Sequence, residues 1–359
     1  MVFYILVMLT SVVITYISET TNKENGYGKI AFTIVFFLMA TPLFIRFNIG
    51  IDYANYKPLI DAYLLGYDNL GEIYQYDPHW DILIMLSIKL VRLFSKNTQI
   101  VFILWAGITM FFALRSIYKY STMPYVSLLC YFLMGFYFMS MNVMRQSIAL
   151  SILMNLVPFF NNKKNSFLEY LVIVLIASGF HSSSIIMVFV YFLRNKKLNI
   201  SGLYVKDAIV VFFLFVAKRF VYMLAALTPF GNYLHHSYYG VINFSLTNLI
   251  IESSFFAIIY FVYRNAKCNE EEYFYINMFN LMFIATLSGL FLPNIIFRIK
   301  YYLDVYMVFF VPLVIARIEN HNKQFLACCL LLAIGVFRFY MSAIGNGVIP
   351  FTILPSLWS

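Results

Sequence analysis

The sequence predicts an all-α fold, a polytopic transmembrane helical bundle of about 11–13 helices, some of them broken. Hydrophobic residues make up 62% of the 359 residues, charged residues only 11%, and the mean hydropathy is +0.80. A soluble protein has roughly 25% charged residues. Apolar segments of about 20 residues, the length that crosses a bilayer, recur along the chain. We therefore expect a single integral membrane domain over residues 1–359.

The apolar segments give the order of the predicted helices. The first segment lacks a basic leader and a small-residue cleavage site, so it is interpreted as a retained helix and not as a signal peptide. The fifth is long enough for two helices. The predicted spans lie near 2–18, 30–46, 79–94, 100–118, 125–160, 167–193, 205–219, 246–263, 274–292, 299–316 and 325–341.

The segment 167–193 carries a predicted break. Lysine pairs flank it, at 163–164 and at 196–197, and the positive-inside rule places both pairs in the cytoplasm. One continuous crossing would leave one pair outside. A break at residues 178–182, with two short helices that meet there and return, removes the conflict.

Two polar segments, 47–78 and 220–245, are predicted as loops on the outer, periplasmic face. Both contain many tyrosines together with carboxylates, amides or histidines. Aromatic rings stack on the C–H faces of sugars while polar groups bond their hydroxyls, so this composition suits glycan recognition. Tyrosine belts at the membrane interface are the alternative interpretation.

Basic residues gather on the predicted outer face, where the positive-inside rule expects few. The forked donors of arginine suit phosphate oxygens, so we infer a phosphate or pyrophosphate ligand. Snorkelling, or pairing with acidic side chains such as Glu252 and Asp304, is the alternative. The predicted ligands are Arg46, Arg145, Arg219, Arg298 and Arg338.

Polar residues at helical spacing indicate the lining of a pocket. Asn142, Arg145 and Gln146 follow i, i+3 and i+4, so they are expected to share one face of a helix. The same spacing recurs later in the chain, at Arg298, Tyr301 and Tyr302.

Three side chains are candidates for a general base. Asp52 is the best-placed carboxylate, because it follows Arg46 closely and lies just outside the membrane. Asp77, at the far end of the same loop, is its rival. His181 lies at the predicted break beside serines and could act as a base or a phosphate ligand, whereas a hydrogen-bonded core histidine is the alternative.

Motifs for other chemistries are absent from the sequence. It contains no Walker loop, no dinucleotide-binding glycine pattern and no His-Glu-x-x-His. The four cysteines show neither metal-like nor disulfide-like spacing, so no metal site is predicted. No soluble nucleotide-sugar domain is present either, so no cofactor is expected. The energy for a transfer reaction would come from a lipid-linked phosphoester.

At these residues the chain resembles the EpsG-like and Wzy-type O-antigen or capsule polysaccharide polymerases. The first shared element, an Arg followed by Gly-x-Asp-Tyr and a further Tyr, is matched by Arg46, Gly50, Asp52, Tyr53 and Tyr56. The later elements are matched by Asn142, Arg145, Gln146 and Ala149, by Phe180, His181 and Ser183, and by Arg298, Tyr301 and Tyr302. The elements run in order over residues 40–310. Asp77 departs from the pattern, since the family often has Glu there.

The resemblance implies a glycosyltransferase of the bacterial inner membrane, similar to the GT-C enzymes, metal-independent and with its site facing the periplasm. It would polymerise undecaprenyl-pyrophosphate-linked repeat units into O-antigen or capsular polysaccharide. The growing glycan would pass to the acceptor unit, and undecaprenyl pyrophosphate would leave. Membrane lipid and a chain-length regulator are expected partners, and nucleic acid is not. The expected substrate contacts are Tyr53, Tyr56, Asn142, Gln146, Tyr301 and Tyr302.

Two other functions fit a polar site in a membrane bundle. A flippase or exporter of lipid-linked oligosaccharide would want a central cavity and an internal repeat, and the hydropathy shows no two-fold repeat. A polysaccharide O-acyltransferase would want a catalytic histidine near a cytoplasmic acyl donor, whereas His181 is predicted outside. Both alternatives remain open at this point.

Overall fold

The computed structural model describes residues 1–21, 27–67, 81–160, 166–194, 196, 203–226, 242, 245–293 and 295–353. These residues form helices joined by short connections, and an isolated bridge between Arg46 and Ile353 is the one extended pairing among them. Among these described residues, six helices are long and apolar enough to cross a membrane, or seven if one bent pair counts as a span. The prediction of an all-α, multi-pass membrane protein is therefore confirmed.

The chain divides into two compact units. The first comprises Met1–Val157, Phe167–Ile185 and Gly335–Ser359, and the second comprises Pro158–Ser166 and Ile186–Ile334. The first three sequence elements of the resemblance fall in the first unit, and the fourth falls in the second. That residues 1–359 act as one membrane domain stays a prediction.

In the first unit, helix α2 packs against both α1 and α5, and α8 packs against α5 and α10. The bounds of its helices are α1 (Val2–Thr21), α2 (Tyr27–Ile45), α3 (Tyr53–Leu65), α4 (Ile82–Arg92), α5 (Thr98–Tyr120), α6 (Pro124–Leu133), α7 (Phe136–Asn142), α8 (Met144–Leu153) and α10 (Phe167–Phe180). A 3-10 turn at Met154–Leu156 leads to α9 (Val157–Phe160).

The second unit contains the helices of the later sequence. Helix α15 begins with a capping box, in which Asn269 and Glu272 bond each other's backbone N–H groups. The bounds are α11 (Met187–Leu193), α12 (Leu203–Val216), α13 (Lys218–Ala226), α14 (Leu246–Tyr263), α15 (Glu270–Ser288), α16 (Ile295–Asp304) and α17 (Met307–Ala316). The unit boundary falls within the last helix, α18 (His321–Gly345).

The predicted break in segment 167–193 is present. Helix α10 ends at Phe180, His181 is non-helical, and a 3-10 turn over Ser182–Ile186 leads into α11. Just before the break, Gly179 faces α4, where an added Cβ would come within 2.6 Å of the Leu83 side chain. The absence of a side chain at Gly179 thus brings α4 close to the break.

The segment 47–78 contains a helix that the sequence analysis did not anticipate. Residues Tyr53, Tyr56, Ile60 and Tyr63 are all buried and follow the helical spacing i, i+3, i+7 and i+10. The composition of this segment predicts a polar loop, but the rings of its tyrosines Tyr53, Tyr56 and Tyr63 form the buried face of α3. Residues 68–80 and most of 220–245 lie outside the described part of the chain, so the placement of both segments on the outer face stays a prediction.

The polar stripe expected through Asn142 and Arg145 is divided between two helices. Asn142 is the last residue of α7, Val143 is non-helical with ψ 62°, and Arg145 and Gln146 lie in the first turn of α8. The expectation of one shared helical face is therefore wrong. The helix is interrupted where distant side chains bond the junction. Arg46 donates to the Met141 carbonyl oxygen, and Asn346 accepts from the Asn142 side chain.

Candidate functional site

The loop between α2 and α3 is bonded to the junction of α7 and α8. The Arg46 guanidinium donates through Nη1 to the Met141 carbonyl oxygen and faces the Met144 sulfur. The backbone N–H of Asp52 donates to Oδ1 of Asn142 at 2.8 Å. The first two sequence elements, far apart along the chain, are therefore in direct contact in the fold.

A close backbone approach explains the glycine in the first element. Gly50 has φ +94°, and an added Cβ would lie 3.0 Å from the Met141 carbonyl carbon and still closer to its oxygen. Residues other than glycine rarely adopt this backbone conformation, and there is no space for a side chain at position 50. Glycine at position 50 thus lets the loop lie directly on the α7–α8 junction.

The C-terminal segment holds the other side of this loop. Gly50 and Ile51 donate from their backbone N–H groups to the carbonyls of Gly347 and Asn346, at 3.1 and 3.3 Å. Asn142 Nδ2 also donates to Asn346 Oδ1 at 3.1 Å. Asn346 is not among the predicted site residues, because its partner lies 204 residues away and no local pattern marks it.

Arg46 is enclosed by the protein. Its side chain is 1% exposed, and its guanidinium lies over the Phe102 ring, 5.5 Å from the centroid. Burial lowers the pKa of Arg46 to about 10, against the opposing effect of nearby tyrosines such as Tyr53. Burying a charged group inside a protein is costly unless the group is paired and hydrogen-bonded. A pyrophosphate contact for Arg46 stays a prediction.

A second cluster forms around a carboxylate that the sequence analysis did not select. Nη1 of Arg145 lies 3.3 Å from Oδ2 of Asp81, and Nε of Arg145 donates to the Tyr56 hydroxyl at 3.3 Å. Tyr56 in turn packs its ring against Trp105. Arg145 therefore bridges the first element to Asp81.

The same carboxylate meets the break after α10. Oδ1 of Asp81 accepts the backbone N–H of Ser182 at 2.8 Å, and Nδ1 of His181 lies 3.6 Å from Oδ2. The side chains of Asp81 and His181 are 9% and 10% exposed. We refer to Asp81, Arg145, His181 and Tyr56 as the Asp81 cluster. It joins residues of three sequence elements in one place.

The environment of Asp81 favours its charged form. Burial alone would raise the pKa of this carboxyl, but the His181 imidazole, the Arg145 guanidinium and the Ser182 N–H together lower it below its ordinary value. The signal that could have identified Asp81 is its position at the N-cap of α4, directly before an apolar run. Asp77, which was selected as the rival base, lies outside the described residues.

The remaining predicted residues of the first unit differ in their exposure to solvent. Asp52 is half-buried at the N-cap of α3, and its carboxylate makes no capping hydrogen bond there. Tyr53 is buried, with its ring 5.1 Å from that of Phe102. Gln146 is 2% exposed, and Arg338 is half-buried on α18.

In the second unit, Arg298, Tyr301 and Tyr302 share α16 at the predicted spacing. Tyr302 is fully buried, whereas Arg298 and Tyr301 are half-buried, and Arg219 is exposed on α13. Glu252 and Asp304, the alternative partners for the predicted arginines, contact a lysine. The Lys300 ammonium contacts both carboxylates, Glu252 and Asp304, and is 3.1 Å from Oδ2 of Asp304.

Within the described residues, no group of three or more His, Cys, Asp or Glu side chains comes together as metal ligands would. The side chains of the Asp81 cluster can supply electrostatic stabilisation and proton transfer. It presents a guanidinium, an imidazole, a carboxylate and a phenol.

The helices and this polar site define the class of the protein, a multi-pass α-helical membrane protein with ionisable groups buried at one site. The chain belongs to the EpsG family, which matches residues 29–353. This family is associated with Wzy-type polymerases and suggests a polymerase-like role in polysaccharide biosynthesis. No curated protein and no solved structure matches the chain. Membership of the family confirms the resemblance inferred from the sequence.

Proposed function

We propose that the protein is a glycosyltransferase of the bacterial inner membrane that polymerises lipid-linked repeat units at the periplasmic face. Its substrates are two undecaprenyl-pyrophosphate-linked glycans. The growing glycan leaves its lipid and is joined to the acceptor unit, so that growth occurs at the reducing end. The product is a bacterial polysaccharide such as O-antigen or capsule.

The convergence of three sequence elements on the Asp81 cluster carries this proposal. Tyr56, Arg145 and His181 come from separate helices and a break. Arg145 and His181 face the Asp81 carboxylate, and Tyr56 accepts a hydrogen bond from Arg145. Polar networks of this kind are expensive in a membrane protein and are retained where they do chemistry. The family match covers all of these residues.

The proposed reaction needs a group that neutralises a leaving pyrophosphate. Arginine offers forked donors to phosphate oxygens, and a fixed guanidinium stabilises the charge that develops as the sugar–phosphate bond breaks. Arg145 is held by Tyr56 and Asp81 and is well suited to this task. Arg46 is proposed as a further pyrophosphate ligand. For Arg298 and Tyr301, which belong to the second unit, a pyrophosphate contact and a glycan contact stay predictions.

The direct experiment is polymerisation by the purified protein. Lipid-linked repeat units are supplied in detergent or liposomes, with a metal chelator present and without nucleotide, and products are separated by length. We expect a ladder of lipid-linked glycans and release of undecaprenyl pyrophosphate. Unchanged single repeats, under conditions where the protein stays folded, would contradict the proposal.

A deletion strain distinguishes the alternative functions. Loss of a polymerase leaves single lipid-linked repeats accessible from the periplasm. Loss of a flippase or exporter strands the repeats at the cytoplasmic face, and loss of an O-acyltransferase leaves chains of full length. We expect the first outcome.

A further inference from the structure

Asp81 holds two functional side chains with its two oxygens. A carboxylate has about four lone-pair sites, so it can accept several donors at once. Oδ1 is bonded by the Ser182 N–H at 2.8 Å, which fixes the carboxylate against the break. Oδ2 then faces Nη1 of Arg145 at 3.3 Å and Nδ1 of His181 at 3.6 Å.

The carboxylate selects the tautomer of the imidazole. A neutral histidine carries its proton on one ring nitrogen, and the nitrogen that faces a carboxylate is the one that donates. The distance of 3.6 Å is slightly beyond a hydrogen bond. Catalytic hydrogen bonds are often long in the absence of substrate and shorten in the reactive complex. A proton on Nδ1 of His181 satisfies this rule and leaves Nε2 with a lone pair.

We infer that His181 is the general base of the transfer reaction and that Asp81 is its positioning residue. This inference rests on the proposed function. Asp81 fixes the ring and tautomer of His181, and it holds Arg145 beside the same ring. One carboxylate thus sets the distance between the group that takes the proton and the group that stabilises the leaving pyrophosphate.

The transfer step then balances without a further reactant. The acceptor hydroxyl oxygen forms a bond to C1 of the donor sugar while the bond between C1 and the phosphate oxygen breaks. The electron pair of that bond leaves with undecaprenyl pyrophosphate, whose charge faces Arg145. The hydroxyl proton passes to Nε2 of His181, and the imidazolium later releases it to water.

Burial of the cluster supports a site that is enclosed yet accessible. The side chains of Asp81, His181 and Arg145 are 9%, 10% and 19% exposed. Charges in such surroundings interact more strongly than in water. Each of the three side chains keeps a small exposed fraction, through which a substrate group could reach it.

The first test is a double-mutant cycle in the polymerisation assay. Asp81→Asn keeps the size of the side chain but removes the charge that orients His181. We expect turnover to fall about 10²–10⁴-fold, the range of general-base catalysis, with little change in KM for the acceptor. His181→Ala should show a similar loss. The double variant should lose much less than the product of the two single losses, and any loss beyond that of His181→Ala reports the part of Asp81 that acts through Arg145.

Multiplying losses in the double variant would contradict action through His181, as would normal turnover in either single variant. Loss of activity in Asp52→Asn together with normal turnover in His181→Ala would instead assign the base to Asp52. The matched control is Glu169→Gln, an exposed carboxylate in the first turn of the helix that leads to His181. It should polymerise at the wild-type rate.

The second test reads the tautomer and does not depend on activity. The ¹⁵N spectrum of histidine-labelled protein in bilayers distinguishes Nδ1–H from Nε2–H, and His181→Ala identifies the signal. We expect Nδ1–H in the wild type and predominantly Nε2–H in Asp81→Asn. A wild-type Nε2–H tautomer would overturn the inference even if the protein polymerises. An Nδ1–H tautomer in a protein that does not polymerise would overturn only the proposed function.

Discussion

Gly50 lies against the carbonyl group of Met141, so closely that no side chain fits between them. The contact joins the loop after α2 to the junction of α7 and α8. Arg46 bonds the same carbonyl, and Asp52 bonds the next residue, Asn142. These contacts therefore fix the backbone conformations of both the loop and the junction.

Gly50→Ala should disrupt the protein at this contact. An added Cβ would clash with backbone atoms of Met141, and the residue would keep an unfavourable φ of +94°. We expect a destabilisation of about 1–3 kcal/mol from overpacking and a loss of polymer formation. Thermal melting in detergent and the polymerisation assay measure the two effects.

Gly107→Ala is the matched control for this substitution. Gly107 lies inside α5, and an added Cβ would meet nothing within 4 Å. Alanine in a helix interior is favoured over glycine by up to about 1 kcal/mol. The control should melt no lower than wild type. Equal melting temperatures for the two alanine variants would contradict the account of Gly50.

Arg145→Lys should fail nearly as completely as Arg145→Ala. Arg145 reaches the Tyr56 hydroxyl through Nε and Asp81 through Nη1, and one ammonium cannot reproduce this fork. We expect polymer formation to fall at least about 10-fold in both variants, although lysine retains the charge. The rate of polymerisation at matched expression is the measurement.

Arg264→Lys provides the comparison, because Arg264 is exposed and lies over the Phe261 ring at the end of α14. It should leave polymerisation unchanged. Wild-type chain length in Arg145→Lys would show that a point charge suffices at position 145. The bidentate role would then have to be abandoned.

The sequence predicts those parts of the fold that leave a local signal, such as a charge pattern or a helical spacing. The break near His181 follows from the lysines on both sides of one apolar segment, and α10 indeed ends at Phe180. Helix α3 was missed because tyrosines such as Tyr53 were interpreted as loop residues, whereas their rings are buried. Hydropathy cannot distinguish a tyrosine that faces sugar from one that faces a core.

The centre of the site was missed for a different reason. Asp81 is bonded to Arg145 and Ser182, which are 64 and 101 residues away. The position of Asp81 at the N-cap of α4 is a local signal, but periodicity and spacing report only on neighbours along the chain. They do not show that this carboxylate lies between the arginine and the histidine. A contact of this range becomes visible only when the helices are assembled.

The stability of the protein should depend on pH through Asp81. Its pKa is lower in the folded protein than its ordinary value, because His181, Arg145 and the Ser182 N–H outweigh burial. A depressed carboxyl pKa stabilises the folded state above the unfolded pKa of about 3.9, and this contribution is lost as the pH falls further. The melting temperature of the wild type should therefore fall below about pH 4 more steeply than that of Asp81→Asn. Parallel curves of melting temperature against pH for the two proteins would show that the partners of Asp81 do not stabilise its charged form in the folded protein.

Lys300 should be essential for the stability of the second unit. It is 4% exposed and contacts Glu252 and Asp304, each 1% exposed, and Thr286 donates to the other Glu252 oxygen. Lys300→Met would leave two carboxylates buried without this cation. Removing one partner of a buried ion pair typically costs about 3–5 kcal/mol. A large drop in melting temperature is therefore expected.

Two further variants separate charge from packing in this cluster. The triple variant Lys300→Met, Glu252→Gln and Asp304→Asn removes all the charges together and should recover much of the lost stability, because no uncompensated charge stays buried. Lys323→Met removes an exposed lysine from the first turn of α18 and should melt like the wild type. If Lys300→Met also melts like the wild type, the two carboxylates do not depend on Lys300. Failure of the triple variant to recover would indicate that the ion pairs hold α14 and α16 together in a way that neutral side chains cannot.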